Sequence, residues 1–279
     1  MVKVGFIDYY LDEWHANNYP KFLKEQSEGE MEVCCAYGKI DSPIGGMTNK
    51  QWSQKYNIPL AGSIKEVIEK SDVLIVLSPD NPEMHEELCD EAVKSKKRVY
   101  IDKTFAPTRE AAERIFKKAE EYGTPCYSSS ALGFSSELDE IDVSKIDCIY
   151  SAGPGKFEIY VIHQIEPVVR LMGCKAKRVM YTADLKHPAA VVEFSDGRIW
   201  HIAFRDDSGA SFRYVLLDKD NAAKIIDVRS DYFGLFIKAM VNFFRSGKIP
   251  VEHERTIEVI AIREALIKAR KTPFEWVEL

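Results

Sequence analysis

The run Val73–Leu77, unbroken apolar residues bracketed by Asp72 and by Ser78-Pro79, constrains this chain more than any other stretch. An apolar run without alternation is how a strand covered on both faces of a parallel sheet reads. Helical spacing follows at Met84, Leu88, Cys89, Ala92 and Val93. The basic cluster Lys94, Lys96, Lys97 and Arg98 then suits a helix C-terminus. Val99–Ile101 is a second buried strand, and Asp102-Lys103-Thr104 stands at its carboxyl end. The stretch predicts one βαβ unit. In open α/β sheets the carboxyl edge is where ligands bind, which makes Lys103 the first candidate for chemistry.

The same grammar fills the first half. Val2–Ile7 reads as a strand, Asp8–Asn18 as a loop or helix start, and Tyr19, Phe22 and Leu23 as a short amphipathic segment. Met31–Ala36 is the next strand, Gln51–Tyr56 a short helix, and Ser63 with Glu66 a capping box for the helix of Val67 and Ile68. Thr108 caps a helix that runs along Ala112, Ile115, Phe116 and Ala119 to Gly123, and Cys126–Ser129 closes this half as a strand. Strands alternating with helices predict a Rossmann-like doubly wound parallel sheet over residues 1–130.

After Ser130 the pattern changes. A helix spans Ile159–Met172, then strand-like runs follow at Lys177–Ala183, Ala190–Phe194, Ile199–Phe204, Arg213–Leu217 and Lys224–Val228. Asp196-Gly197 and the cluster Asp218–Asn221 read as hairpin turns. The helices Tyr232–Ser246 and Glu254–Lys271 close the chain. Residues 131–279 therefore form an α+β domain with a mainly antiparallel, open sheet.

Composition narrows the function classes. With 46% hydrophobic and 29% charged residues the chain is an ordinary globular protein, and its net charge of −6 argues against a nucleic-acid partner. No apolar stretch approaches the roughly 18 residues that span a membrane, and MVKVGFID enters a strand with no signal-peptide core. The six cysteines show no zinc spacing and suit buried thiols in a reducing cytoplasm. His85-Glu86-Glu87-Leu88-Cys89 approaches the HExxH pattern with cysteine in the last place; no third ligand is evident, and no metal is expected.

Several segments together resemble the Gfo/Idh/MocA family of NAD(P)-dependent sugar and cyclitol oxidoreductases. They are Val4-Gly5-Phe6-Ile7, Ser78-Pro79-Asp80-Asn81 with His85, Asp102-Lys103-Thr104-Phe105-Ala106-Pro107-Thr108, His163-Gln164-Ile165-Glu166 before Leu171-Met172-Gly173, and Gly247-Lys248-Ile249-Pro250. The likeness implies hydride transfer between a nicotinamide cofactor, NAD or NADP, and a hydroxyl or carbonyl of a small polyol. It implies Lys103 and His163 as catalytic residues, and Lys103, Tyr160, His163 and Glu166 against the substrate. It implies cofactor contacts at Ile7, Asp8, Tyr9, Tyr10, Ser78, Pro79, Asn81, His85 and Lys103. It also implies a homodimer or higher homo-oligomer formed through the open face of the second sheet.

The sequence departs from that pattern in defined places. The three glycine positions of G-x-G-x-x-G fall on Asp8, Tyr10 and Glu13, which sets carboxylates and bulk where a pyrophosphate approaches backbone. Ala36-Tyr37-Gly38-Lys39 offers no acid for the adenosine ribose, although Lys39 suits a 2′-phosphate. The aspartate one turn before the histidine is replaced by Ile159. Two function classes stay open: a working oxidoreductase with an unusual phosphate loop, and a protein of the same fold that binds a small ligand, senses or assembles without redox chemistry.

Overall fold

The computed structural model of the chain describes residues 1–182, 188–205, 211–220 and 222–279. They divide into two compact units, one of residues 1–129 with 236–253 and one of residues 130–235 with 254–279.

The first unit holds a five-stranded parallel sheet in the order β2-β1-β3-β4-β5. The strands are β1 (Val2–Asp8), β2 (Met31–Gly38), β3 (Val73–Val76), β4 (Arg98–Ile101) and β5 (Cys126–Tyr127). The order reverses between β1 and β3, and at such a switch point the loops leave a crevice beyond the carboxyl ends. The helices are α1 (Trp14–Gln26), α2 (Asn49–Tyr56), α3 (Ile64–Lys70), α4 (His85–Cys89) and α5 (Arg109–Tyr122). Thr108 caps α5 through Ala111 N–H, and Gly123 ends it in the left-handed conformation, as its sequence predicts. Phe6, Ile75, Tyr100, Phe116 and Tyr127 fill the core, with Tyr127 edge-on to Phe243 at 4.9 Å.

Two local expectations are corrected. The helix expected over Met84–Val93 breaks into 3₁₀ turns at Pro82–Met84 and Ala92–Lys94 around the short α4, because so brief an amphipathic stretch gains little from propagation. Glu66 does not close a reciprocal box with Ser63: it accepts the amide of Gly62 at 2.6 Å, while Thr48 and Gln51 form such a box at α2. α1 begins at Trp14, within the stretch expected to be a loop or helix start, because Glu13 caps it.

The second unit carries a seven-stranded sheet in the order β11-β10-β6-β9-β8-β7-β12. Its strands are β6 (Ile146–Pro154), β7 (Ala176–Tyr181), β8 (Ala189–Phe194), β9 (Ile199–Arg205), β10 (Arg213–Asp218), β11 (Ala223–Asp227) and β12 (Trp276–Glu278). Among the described residues all pairings are antiparallel except β6 with β9. The sequence reading missed β6, a central strand, since Asp147, Ser151, Gly153 and Pro154 dilute its apolar pattern. It also missed the edge strand β12. Ala183 and Asn221, which ended an expected strand and turn, lie outside the described residues.

Helix α6 (Phe157–Met172) packs its apolar face on this sheet, and α7 (Tyr232–Ser246) and α8 (His253–Ala269) follow near the end of the chain. A buried polar chain fixes the rotation of α6. Trp200 Nε1 donates to Ser151 Oγ at 2.8 Å, Ser151 Oγ donates to Gln164 Oε1 at 2.5 Å, and Gln164 Nε2 reaches Ala203 O at 3.3 Å. An unmet partner here would cost about 1–3 kcal/mol, so the helix has one register. Gly155, at φ +88°, ends the link from β6 to α6 where a Cβ would strike the Tyr160 ring at 2.5 Å.

Candidate functional site

In the first unit the polar residues gather at the carboxyl ends of β1, β3 and β4. Asp8 ends β1 with 1% of its surface exposed. Its Oδ1 accepts the amide of Tyr9 at 2.7 Å, whereas its Oδ2 has no hydrogen-bond partner among the described residues. Burial, with Glu13 adding to it, holds the Asp8 carboxyl well above the ordinary carboxylate range. Asp102, fully buried after β4, accepts from Tyr100 OH at 2.9 Å and from Tyr19 OH at 3.4 Å. Its Oδ2 stands 3.7 Å from His15 Nδ1. Burial disfavours a charged His15, but Asp102 and Glu13 outweigh it and the ring's pKa is raised. Lys103 follows, half-buried, with a cis peptide to Thr104.

After β3, Ser78 adopts φ +102°, a conformation that favours glycine and costs about 1–3 kcal/mol elsewhere. Its hydroxyl donates to Asn81 O at 3.0 Å, and Pro79 is buried beside it. His85 is fully buried, with Nδ1 3.0 Å from Phe105 O and Nε2 2.8 Å from Leu77 O. It braces the rim by tying the end of β3 to the segment after Lys103. Burial lowers its pKa.

The N-terminus of α1, where a Rossmann fold offers amides to a pyrophosphate, is taken by the chain's own anion. Glu13 accepts the amides of His15, at 2.7 Å, and of Ala16, and its Oε2 lies 2.9 Å from His15 Nδ1. The segments after β1 and β2 are laced together as well. Lys39 N–H donates to Asp8 O, Ile40 N–H to Tyr9 O, Leu11 N–H to Asn49 Oδ1, and Met47 N–H to Asp12 Oδ2. Lys39 Nζ pairs with Glu87 at 2.5 Å. These residues do not fit a dinucleotide's pyrophosphate and adenosine ribose in the glycine-loop manner: a phosphate there must displace a buried carboxylate and face Asp8. Tyr10, 7% exposed, stands where backbone would have to approach.

In the second unit α6 presents His163, half-buried, with Nδ1 2.7 Å from Ser130 Oγ. Tyr160 lies edge-on to the ring at 5.4 Å and Phe212 at 6.1 Å. Ile159, one turn before, is 37% exposed and offers no polar atom. Glu166, one turn on, is 3% exposed, and burial raises its pKa to about 7, with Ser130 N–H and Arg255 opposing the shift. A carboxyl that changes protonation near neutrality beside an imidazole is a proton-handling arrangement.

Ser130 and His15 escaped the sequence reading, whereas Glu13 stands, as an acid at a helix N-terminus is expected to, at the start of α1. Ser130 is one of three consecutive serines after a strand, and only folding shows which one meets a histidine. Glu13 carried a signal in its place three residues before Ala16, the spacing of a cap. Among the described residues no group of three or more His, Cys, Asp or Glu is arranged to hold a metal ion, and no helix is long and apolar enough to cross a membrane.

Residues 44–130 match the Gfo/Idh/MocA family model, described as an oxidoreductase family with an NAD-binding Rossmann fold. That stretch holds Ser78–Asn81 and Lys103 and begins beyond Glu13. A search of curated proteins finds no match. Among solved structures, GenD2 from gentamicin A biosynthesis, in complex with NAD, superposes with a TM-score of 0.81 at 10% identity over 100% of this chain and 96% of that one. A probable dehydrogenase from Thermotoga maritima gives 0.80 at 13% identity over 99% and 98%. The myo-inositol 2-dehydrogenase from Lactobacillus plantarum gives 0.79 at 13% identity over 100% and 99%. At such identities the likeness establishes the fold.

Proposed function

We propose that this chain, a member of the Gfo/Idh/MocA oxidoreductase family, interconverts a hydroxyl and a carbonyl on a sugar, cyclitol or related small polyol. The observation that carries the reading is the set on α6: an imidazole held by a hydroxyl and flanked by a buried carboxyl with a pKa of about 7. Oxidising a carbinol requires a base near neutral pKa for the hydroxyl proton, and we assign His163 to it. Lys103 is the cation assigned to the reaction, and Tyr160 and Glu166 are assigned to the substrate. NAD or NADP as cofactor is supported by the description of the matched family. The polyol class is supported by the names of similar structures, inositol dehydrogenases among them. A cytoplasmic homodimer or higher homo-oligomer completes the reading.

A second reading is favoured by Glu13 and the laced segments after β1 and β2: the fold is kept, and a small ligand is bound without a dinucleotide. Titration with NADH and NADPH, read by energy transfer from Trp14 and Trp52, separates the two. Saturable binding together with turnover of a polyol that Lys103→Met abolishes supports the oxidoreductase. Lack of binding at millimolar nucleotide removes it and leaves the second.

A further inference from the structure

We propose that Cys34 and Cys35 on β2 form a dithiol site for a soft, thiophilic trivalent centre, an organic arsenical being the chemistry that fits. Successive side chains of a regular strand point to opposite faces, so adjacent cysteines ordinarily cannot act together. Here the strand is irregular. Val4 of β1 pairs with Val33 and Gly5 with Cys35, which leaves Cys34 as an extra residue between them. The two Sγ atoms stand 3.7 Å apart as a result. The pair lies in the middle of β2, away from the residues at the strand ends, and owes nothing to the proposed oxidoreduction.

The surroundings hold both sulfurs beside the end of α3. Cys34 Sγ reaches Lys70 O, at the last residue of that helix, at 3.6 Å. Gly5, opposite Cys35, packs so closely there that a Cβ would lie 2.5 Å from Ser71 Oγ and from Val67 Cγ1. β2 is the edge strand of its sheet, with Cys34 half-buried and Cys35 1% exposed. A reagent therefore meets Cys34 first. The hydrogen bond between the sulfurs favours a Cys34 thiolate and lowers that thiol's pKa, and the same bond, with burial, raises that of Cys35. Cys34 is the entering nucleophile and Cys35 the second donor.

The spacing selects the ligand. Neighbouring Cα atoms lie about 3.8 Å apart, short of the roughly 4.4–6.8 Å that a disulfide takes, so joining the two sulfurs directly is strained. Two bonds of about 2.3 Å, the length in a zinc thiolate, meeting at between about 90° and the tetrahedral angle span roughly 3.3–3.8 Å between sulfurs. The observed 3.7 Å falls in that window. Among the described residues no group of three or more His, Cys, Asp or Glu is arranged to hold a metal ion, so a four-coordinate ion lacks protein donors. An arsenic(III) atom that already carries one organic group needs only two sulfurs. With an organic arsine oxide both S–H bonds break, two S–As bonds form, and the two protons leave with the oxygen as water. Arsenic stays trivalent and no oxidant is consumed.

The test treats the reduced full-length protein with phenylarsine oxide and reads intact mass and free thiols. The wild type is expected to take up one phenylarsenic group per chain and to lose two titratable thiols. The dithiol 2,3-dimercaptopropanol reverses the uptake, whereas 2-mercaptoethanol at the same thiol concentration does not. Cys34→Ser and Cys35→Ser each weaken uptake about 100-fold, because the second bond is no longer intramolecular. Cys174→Ser leaves it unchanged. No thiol loss in the wild type, uptake retained at one equivalent in Cys34→Ser, or equal reversal by the monothiol overturns the proposal. If Cys35→Ser does not fold, Cys35→Ala gives the same reading, and the variant at half-buried Cys34 decides by itself. No turnover is measured, so the result stands whether or not the oxidoreductase reading does.

Discussion

Glu13 Oε2 lies 2.7 Å from the amide nitrogen of His15 and 2.9 Å from that residue's ring Nδ1, so one side chain both starts α1 and holds the histidine after it. The contact converts an anion-binding helix terminus into a filled one. It stabilises the helix in the manner of any acidic cap while competing with a phosphate for the same amides.

Neutralising that cap should therefore favour nucleotide. Glu13→Gln is expected to tighten NADH binding about tenfold, since it removes a charge facing the phosphates and loosens the hold on the amides of His15 and Ala16. Calorimetric titration of both proteins measures this. Equal or weaker binding by the variant would show that Glu13 does not compete with phosphate.

The assigned proton-handling residues make a kinetic prediction. Lys103→Met and His163→Asn are each expected to lower kcat on an active polyol by about 10²-fold or more while circular dichroism stays unchanged. A folded Lys103→Met protein with full turnover would remove the lysine from the reaction.

Glu166 gives a stability prediction with a definite sign. Its folded pKa of about 7 lies above its ordinary 4.5, so between those values the folded chain holds a proton that the unfolded chain has released. Its contribution is present below about pH 4.5, falls as pH rises to 7, and amounts to a loss on the order of 3 kcal/mol at most. Glu166→Gln has nothing to ionise. Its Tm relative to wild type should rise between pH 5 and pH 8, and a flat difference across that range would contradict the buried-acid account.

The second sheet has a face that carries Tyr150, 42% exposed and stacked on His201 at 4.5 Å, near Ile225, 66% exposed on β11. Aromatic surface of this kind suits a partner copy. Tyr150→Asp is expected to convert the proposed homo-oligomer to monomer by light scattering, with the fold intact. A wild-type protein that is monomeric at micromolar concentration would refute this.

Much of this molecule was legible in its residues alone. Period and run length are local properties, and they fixed the buried strands β3 and β4, the caps Thr108 and Gly123, the change of grammar after Ser130, and the carboxylates standing in place of glycine. What they could not reveal was anything decided by residues far apart in the chain. β6 reads poorly because its stability comes from β10 and β9 on either side rather than from its own apolar content. Ser130 meets His163 across 33 positions, and Asp8 joins Lys39 through a backbone bond that no pattern encodes. The raised pKa of Glu166 likewise depends on burial, which only the packed helix and turn create. Composition and periodicity chose the elements; tertiary packing chose which polar atoms lost their water and which neighbour replaced it.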